Sequence, residues 1–377
     1  MTGLLVRPRT RAGGELPRWA DALLLPAINL GVALLIAGVI VWFLGADPWE
    51  ALQSLVGGAV GYPEAIGYTL YYATDFIFTG LAVAVAFHCG LFNIGGEGQA
   101  MLGGLGTALV CLALDDWPLW AVLPLAIAAA AGFGAVWAAV PGWLQARRGS
   151  HIVITTIMFN FLAAALMTYL LVDVLIEPGE QDPRSRIFAE GVWLPQLSTV
   201  LRGLGWDIGH APLNFSLLLA LACCGLVRLF VWHSRWGYEI RAVGHSEGAA
   251  LYAGISASRA IVLAMAVSGA LAGLVGINDI MGVHHRLILG FSSGFGFVGI
   301  AVALMGRNRP LGIVLAALLF GALYQGGSEL AFDIPQITRE MVVVVQGLVI
   351  LFCGALENMF KPQLVALFRR LPGGATP

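Results

Sequence analysis

Charge is scarce in this chain. Of its 377 residues only 11% are Asp, Glu, Lys or Arg, where soluble domains carry roughly a quarter. Hydrophobic residues make up 59%, and the mean hydropathy is +0.84. Those values exclude a soluble globular protein and imply an integral membrane one. The net charge of −2 indicates no particular partner. No Gly-x-x-x-x-Gly-Lys-Ser/Thr run occurs, so any ATP hydrolysis belongs to another chain. Cys89, Cys111, Cys223, Cys224 and Cys353 all sit in apolar runs. None has zinc-ligand spacing to a histidine, and they read as small packing residues. His88, His151, His210, His233 and His245 are scattered, and His284 and His285 are adjacent. Neighbours at i and i+1 do not share a helix face, so neither a metal site nor a proton relay is indicated. No nucleophile stands with a base, and no catalytic residues are assigned.

Apolar length is abundant instead. A span needs about 20 apolar residues, and we read ten segments, near 20–44, 67–90, 98–114, 119–144, 152–176, 213–232, 259–280, 290–306, 310–328 and 337–356. The 49 glycines suit helices that approach closely. The expected fold class is therefore all-α, a polytopic transmembrane helical bundle. Pro141 should kink or end the fourth segment. The first run follows Arg7, Arg9, Arg11 and Arg18 and is too long for a signal core, so it reads as a retained anchor. Arg147, Arg148, Arg228, Arg235, Arg241, Arg259, Arg307, Arg309, Lys361, Arg369 and Arg370 fall on the same side as those four if the segments alternate. Most acidic residues, among them Asp47, Glu64, Asp115, Glu177 and Glu329, fall on the other. The positive-inside rule then predicts cytoplasmic termini. The expected organisation is a tail at 1–19, a permease domain at 20–360 with an external loop at 177–212 and an internal loop at 233–258, and a tail at 361–377. In the external loop, Trp193 and Trp206 are expected to anchor at the membrane interface.

Two polar interruptions carry the functional signal. Leu91-Phe-Asn-Ile-Gly-Gly-Glu-Gly-Gln99 separates two apolar runs, and a second break lies near 284–297, around Gly290-Phe-Ser-Ser-Gly-Phe-Gly296. Non-helical backbone at membrane depth must be buried in protein or line a watery cavity. Paired breaks in two halves are where transporters place solute sites. The two broken helices form a weak internal repeat, and glycine-rich packing without symmetry is the alternative reading. Ionisable groups inside a membrane are costly, which singles out Asp75 and Glu97. Asn93 and Gln99 flank Glu97, a set of donors and acceptors suited to a hydroxylated or heterocyclic solute. Glu97 could equally accept from backbone amides at the start of the third segment. Phe92, Phe291, Phe295 and Phe297 could stack on a ring or simply pack. Asn160, Thr155, Thr156 and Ser292 could add polar groups to the pathway or bond between helices. In the internal loop, Ser246 is a plausible helix N-cap, with a short helix over Glu247–Ala253 ending at Gly254. Gly248, Ala249, Ala250 and Ala253 would give that helix a smooth face.

Phe92-Asn-Ile-Gly-Gly-Glu-Gly-Gln99, Arg241-Ala-Val-Gly-His-Ser-Glu-Gly-Ala-Ala-Leu-Tyr-Ala-Gly-Ile255 and Ser268-Gly-Ala-Leu-Ala-Gly-Leu274 together resemble the permease of a bacterial ABC importer. The family is that of ribose-type and branched-chain amino acid permeases, and the similarity is greatest to its nucleoside-uptake branch, over about 20–360. The resemblance implies a coupling helix at Gly244, Ser246, Glu247, Ala249, Ala250, Ala253 and Gly254 that docks on an ATPase with two nucleotide-binding cassettes. It implies a second homologous permease and a lipid-anchored or periplasmic binding protein in the inner membrane of a bacterium. ATP with magnesium would be used by the ATPase, and this chain would bind no cofactor, metal or nucleic acid. It also implies that Asn93, Glu97 and Gln99 lie on the translocation pathway. The chain departs from the family at His151-Ile-Val-Ile154. Many relatives have Asn-Glu at the start of this segment, so the carboxylate is absent here. Simple sugars and purine bases are the alternative cargoes. An ion-driven secondary transporter using Asp75 and Glu97 is the alternative mechanism.

Overall fold

The computed structural model describes residues 20, 24–177, 179–203, 205, 208–352 and 361–370. Trp206 and Cys353 lie outside the described residues, as do Arg7, Arg9, Arg11 and Arg18. The order of helices is α1 (Leu25–Phe43), α2 (Pro48–Val60), α3 (Pro63–His88), α4 (Gly96–Ala113), α5 (Leu119–Arg148), α6 (Ile152–Tyr169), α7 (Leu197–Gly203) and α8 (Ser216–His233). Then follow α9 (Arg235–His245), α10 (Glu247–Tyr252), α11 (Ala257–Gly273), α12 (Phe295–Met305), α13 (Pro310–Asp333), α14 (Arg339–Ile350) and α15 (Lys361–Arg370). Among the described residues there is no extended strand, only two isolated bridges. Wider π-helical turns continue α6 over Leu170–Val174 and follow α11 over Ile277–His284.

Six of these helical runs are long and apolar enough to cross a membrane. Burial sorts them. The central window of α3 is 83% buried and that of the α11 run 72%, against 22% for α5 and α6. The first two form the axis and the others face outward, where lipid can accept their apolar side chains. The segment read at 290–306 resolves into turns followed by the eleven-residue α12. At 1.5 Å per residue α12 is only about 16 Å long, about half a bilayer core. The sequence reading also missed α2. It is a short helix capped by Asp47, which accepts from the Trp49 amide at 2.8 Å, and it packs on α13 rather than spanning. Pro141 lies within α5 without ending it, although kinking or termination was expected there; the helix runs on to Arg148. Ala20, Leu25 and Leu364 share a buried cluster, so the two ends of the described chain meet.

Glycine permits close crossing. A side chain at Gly134 on α5 would begin 2.1 Å from the Gly269 carbonyl oxygen on α11, a backbone contact that cannot yield cheaply. Replacing Gly134 by valine should therefore cost about 1–3 kcal/mol by overpacking. Gly132→Ala, with nothing within 4 Å, should be silent. Fluorescence-detected size-exclusion of tagged variants would show loss of the monodisperse peak for the first only.

Candidate functional site

The first break is a backbone turn held by its own side chains. Leu91 to Gly95 leave the helix, and Asn93 Oδ1 accepts from the Gly95 amide at 2.8 Å and from Gln99 Nε2 at 3.1 Å. Its Nδ2 donates to Gln99 Oε1 at 3.0 Å and to Ser268 Oγ at 2.9 Å. From α6, Asn160 accepts from the Gly98 amide and donates to the Ile94 carbonyl, both at 2.9 Å. All three side chains are buried. The hydrogen-bonding capacity that sequence offered to a solute is spent, in this state, on fixing the break. Thr155 and Thr156 bond back to carbonyls of their own helix.

Glu97 joins the two breaks. Its Oε1 accepts from Ser292 Oγ at 2.7 Å and the Gly294 amide at 2.9 Å, and its Oε2 from the Gly296 amide at 2.9 Å. The structural alternative to a solute role was that such amides come from the start of Glu97's own helix. The structure places them at the start of α12, from the other half of the chain. Gly96 and Gly296 make this possible, since an added side chain on Gly296 would begin 2.1 Å from the Glu97 nitrogen. Two helix N-termini thus abut, and their partial positive charges fall on one buried carboxylate.

A second polar cluster lies between α3 and the π-helical turns after α11. Asn278 Nδ2 donates to Asp75 Oδ2 at 2.8 Å, and Tyr71 Oη donates to Asp279 Oδ1 at 2.6 Å. Asn278 Oδ1 in turn accepts from Ser216 Oγ and Asn214 Nδ2. Both carboxylates are fully buried. Asp75 Oδ1 and Asp279 Oδ2 have no hydrogen-bond partner, and among the described residues neither group has an ion-pair partner. Asp279 and Asn278 were not among the residues chosen from sequence. The signal was present, because the rule that singled out Asp75, an ionisable group within an apolar run, applies equally to Asp279. Aromatic rings stand beside these groups. Phe295 meets Phe76 edge-on at 5.5 Å, Tyr324 meets Phe76 at 5.0 Å, and Tyr72 meets Phe295 at 6.1 Å. Phe291 and Ser292 are buried, whereas Phe92 packs on Phe87 and Phe297 is largely exposed, away from the cluster.

The loop over 177–212 covers the second break. Ser185 donates its amide to the Leu287 carbonyl at 2.9 Å, and Phe188 to that of His285 at 2.8 Å. Trp193, expected at a lipid interface, instead stacks on His285 at 3.9 Å and 8°. Burial holds the His285 imidazole below its usual pKa, only partly offset by its contact with the Met281 carbonyl. The undocked imidazole therefore binds a proton more readily than the docked one, and loop docking strengthens as pH rises. It should weaken as pH falls through the ordinary histidine value of about 6.5. Amide protection factors over residues 185–194, taken relative to intrinsic exchange at each pH, should accordingly be lower at pH 5 than at pH 8, and the difference should shrink in His285→Phe.

The loop over 233–258 forms α9 and α10. Ser246 caps α10 by accepting from the Ala249 amide at 3.3 Å, and Gly254 follows with φ +76°. Gly248, Ala249, Ala253 and Glu247 face outward with Leu251 and Tyr252, the last 98% exposed. Ala250 departs from the expected smooth face. It is buried with Cys89, Leu91 and Val243 because it roots α10 on the body. Gly244 meets the foot of the first break directly, since a side chain there would begin 2.2 Å from the His88 carbonyl oxygen.

Fold and site together define a class, a multi-pass helical membrane permease whose two broken helices meet at a sealed polar centre. The chain belongs to the branched-chain amino acid transport system / permease component family, whose model matches residues 65–354. It is 35% identical to the guanosine ABC transporter permease protein NupP of Bacillus subtilis, over 88% of this chain and 92% of that one. The glucose ABC transporter permease protein TsgB13 of Haloferax volcanii is 34% identical, over 87% and 86%. The nucleoside ABC transporter permease protein NupB of Lactococcus lactis is 33% identical, over 87% and 90%. Each organism also has a second permease named for the same solute, 26–28% identical over 67–68% of this chain. No solved structure matches.

Proposed function

We propose that this chain is one of two non-identical permeases of an ATP-driven importer of nucleosides in a bacterial inner membrane, with both termini in the cytoplasm. The nucleoside labels of NupP and NupB support the cargo, and the second permeases support a heterodimer. A two-cassette ATPase supplies hydrolysis of magnesium-bound ATP, and a lipid-anchored or periplasmic protein delivers the solute. The observation that carries the mechanism is the contact between break and loop. The coupling loop reaches the foot of α3 at Gly244, the first break leads from that foot into α4, and Glu97 at the start of α4 holds the start of α12. Movement of α9 and α10 by the ATPase is thereby passed to the junction of the two halves. When the junction opens, Glu97 loses its three donors. Asp75 Oδ1 and Asp279 Oδ2 are the acceptors available to the hydroxyls of a ribose, and the rings of Tyr72, Phe76 and Phe295 offer faces for a base. Simple-sugar import is the second reading, favoured by TsgB13.

The experiment is uptake of labelled guanosine, ribose, glucose and adenine by cells expressing the chain with its neighbouring subunits, with and without Glu247→Arg. Guanosine uptake that persists under an uncoupler while ATP is maintained, and is lost in the variant, supports the reading. Glucose or ribose uptake without guanosine replaces the cargo. Uptake that ignores Glu247 and collapses with the proton gradient overturns the ATP-driven mechanism.

A further inference from the structure

A cavity of about 810 Å³ opens where the end of α8 meets the turn between α12 and α13. Arg228, Arg307 and Arg309 give its lining a polar part, Leu311 and Leu315 an apolar one, and Trp232 lines it as well. Among the described residues, no Asp or Glu lines it. Among the described residues, neither Arg228 nor Arg309 has a carboxylate partner. The charge of Arg228 and Arg309, brought together without a carboxylate between them, is unfavourable by itself and is relieved by a bound anion.

The position indicates which anion. Both helices that flank the cavity are membrane-crossing by length and composition, and it lies at the end of α8, where α9 and the coupling loop follow. Leu311 and Leu315 are largely exposed, one turn apart on one face of α13. An anion that brings its own apolar tail satisfies both parts of the lining, whereas a free phosphate satisfies one. Basic pockets between transmembrane helices at that level are suited to acidic headgroups, and guanidinium groups bind phosphate oxygens in a fork. We propose that this cavity binds an anionic phospholipid. Its phosphodiester lies against Arg228 and Arg309, an acyl chain runs along Leu311 and Leu315, and Trp232 sits at the headgroup level.

The site also touches the coupling path. Trp232 meets His88 edge-on at 5.0 Å, and His88 Nε2 lies 3.1 Å from the Asn308 carbonyl oxygen in the α12–α13 turn. A lipid seated here would brace α8 and that turn against the foot of α3, beside Gly90 and Gly244. The assignment is independent of the cargo.

The test is native mass spectrometry of the full-length chain, delipidated and then offered phosphatidylglycerol, cardiolipin or phosphatidylcholine of matched acyl chains. A thermal-shift series with the same lipids runs in parallel. Wild type should retain the anionic lipids at least tenfold more than phosphatidylcholine and melt later with them. Arg228→Gln/Arg309→Gln should lose that preference, and Arg228→Lys/Arg309→Lys should keep most of it, which separates lost charge from lost fold. Arg147→Gln/Arg259→Gln removes equal charge at a different cavity, one that also contains Glu239, and should leave the preference intact. Equal loss in that control, an absence of headgroup preference in wild type, or stabilisation by inorganic phosphate alone would overturn the proposal. Insensitivity of the preference to the Arg228/Arg309 pair would overturn it as well.

Discussion

Replacing Glu97 by glutamine is expected to lower solute uptake by tenfold or more while the protein still reaches the membrane. The carboxylate accepts three hydrogen bonds from Ser292, Gly294 and Gly296. Bonds to a charged group contribute about 1.5–3 kcal/mol each. Glutamine keeps one acceptor oxygen but turns an N–H₂ group toward a backbone donor, so at least one bond is replaced by a donor–donor contact. The attraction of two helix N-termini for a negative charge is lost as well. A difference of 1.4 kcal/mol is already tenfold in an equilibrium, so the closed junction should become a minor state. Ser292→Ala provides the graded comparison. It removes one of the three donors, leaves both amides paired, and should have the smaller effect. Uptake normalised to membrane abundance measures both. Equal, near-wild-type uptake in the two variants would sink the idea that Glu97 latches the halves.

The second large effect is expected at Gly244. A valine there would place its Cβ 2.2 Å from the His88 carbonyl oxygen and 2.9 Å from the Cys89 carbonyl carbon. Both are backbone atoms, so α9 and the foot of α3 must separate. Overpacking of this kind costs about 1–3 kcal/mol. Because the clash falls on the contact that links the coupling loop to the first break, the expected phenotype is specific. The partner ATPase should still hydrolyse ATP in the assembled complex, while solute-dependent stimulation and uptake fall at least fivefold. Gly248→Ala, four residues further on and with open space around it, should retain both. ATPase assays with and without solute in reconstituted complex distinguish uncoupling from loss of assembly. If Gly244→Val abolished hydrolysis and uptake together, the contact would be structural rather than transmitting.

Much of the site was legible as chemistry but not as geometry. Asn93, Gln99 and Asn160 were recognisable because polar side chains beside glycine in an apolar chain need a reason. That they bond to the backbone of the break could not be read, since Asn160 stands 62 residues from the Gly98 amide it accepts from. Glu97 shows the same limit more sharply. A carboxylate in the first turn of a helix suggests its own amides, and only the approach of Gly296 supplies others. Asp279 stands in an apolar run as Asp75 does, but its place beside Asp75 depends on how α3 packs against the turns after α11, which no local pattern shows. The α2 helix was overlooked because thirteen residues with two glycines are too short for a span, and its stability comes from packing on α13.

Composition and pattern determined that this is a membrane protein, that its helices are interrupted twice, and that the loop over 233–258 begins a helix at Ser246. Each of these follows from local requirements, namely apolar length for a bilayer, backbone hydrogen bonds that must close on themselves, and a side chain that must cap a helix start. Tertiary structure alone decided that the two interruptions abut, that Glu97 spans them, that Asp75 and Asp279 lie together with one oxygen of each unpartnered, and that Gly244 presses on the foot of α3. Those contacts depend on which helices cross and how closely. Crossing distance is set by glycines and side chains far apart in the chain, whose mutual fit no local pattern encodes.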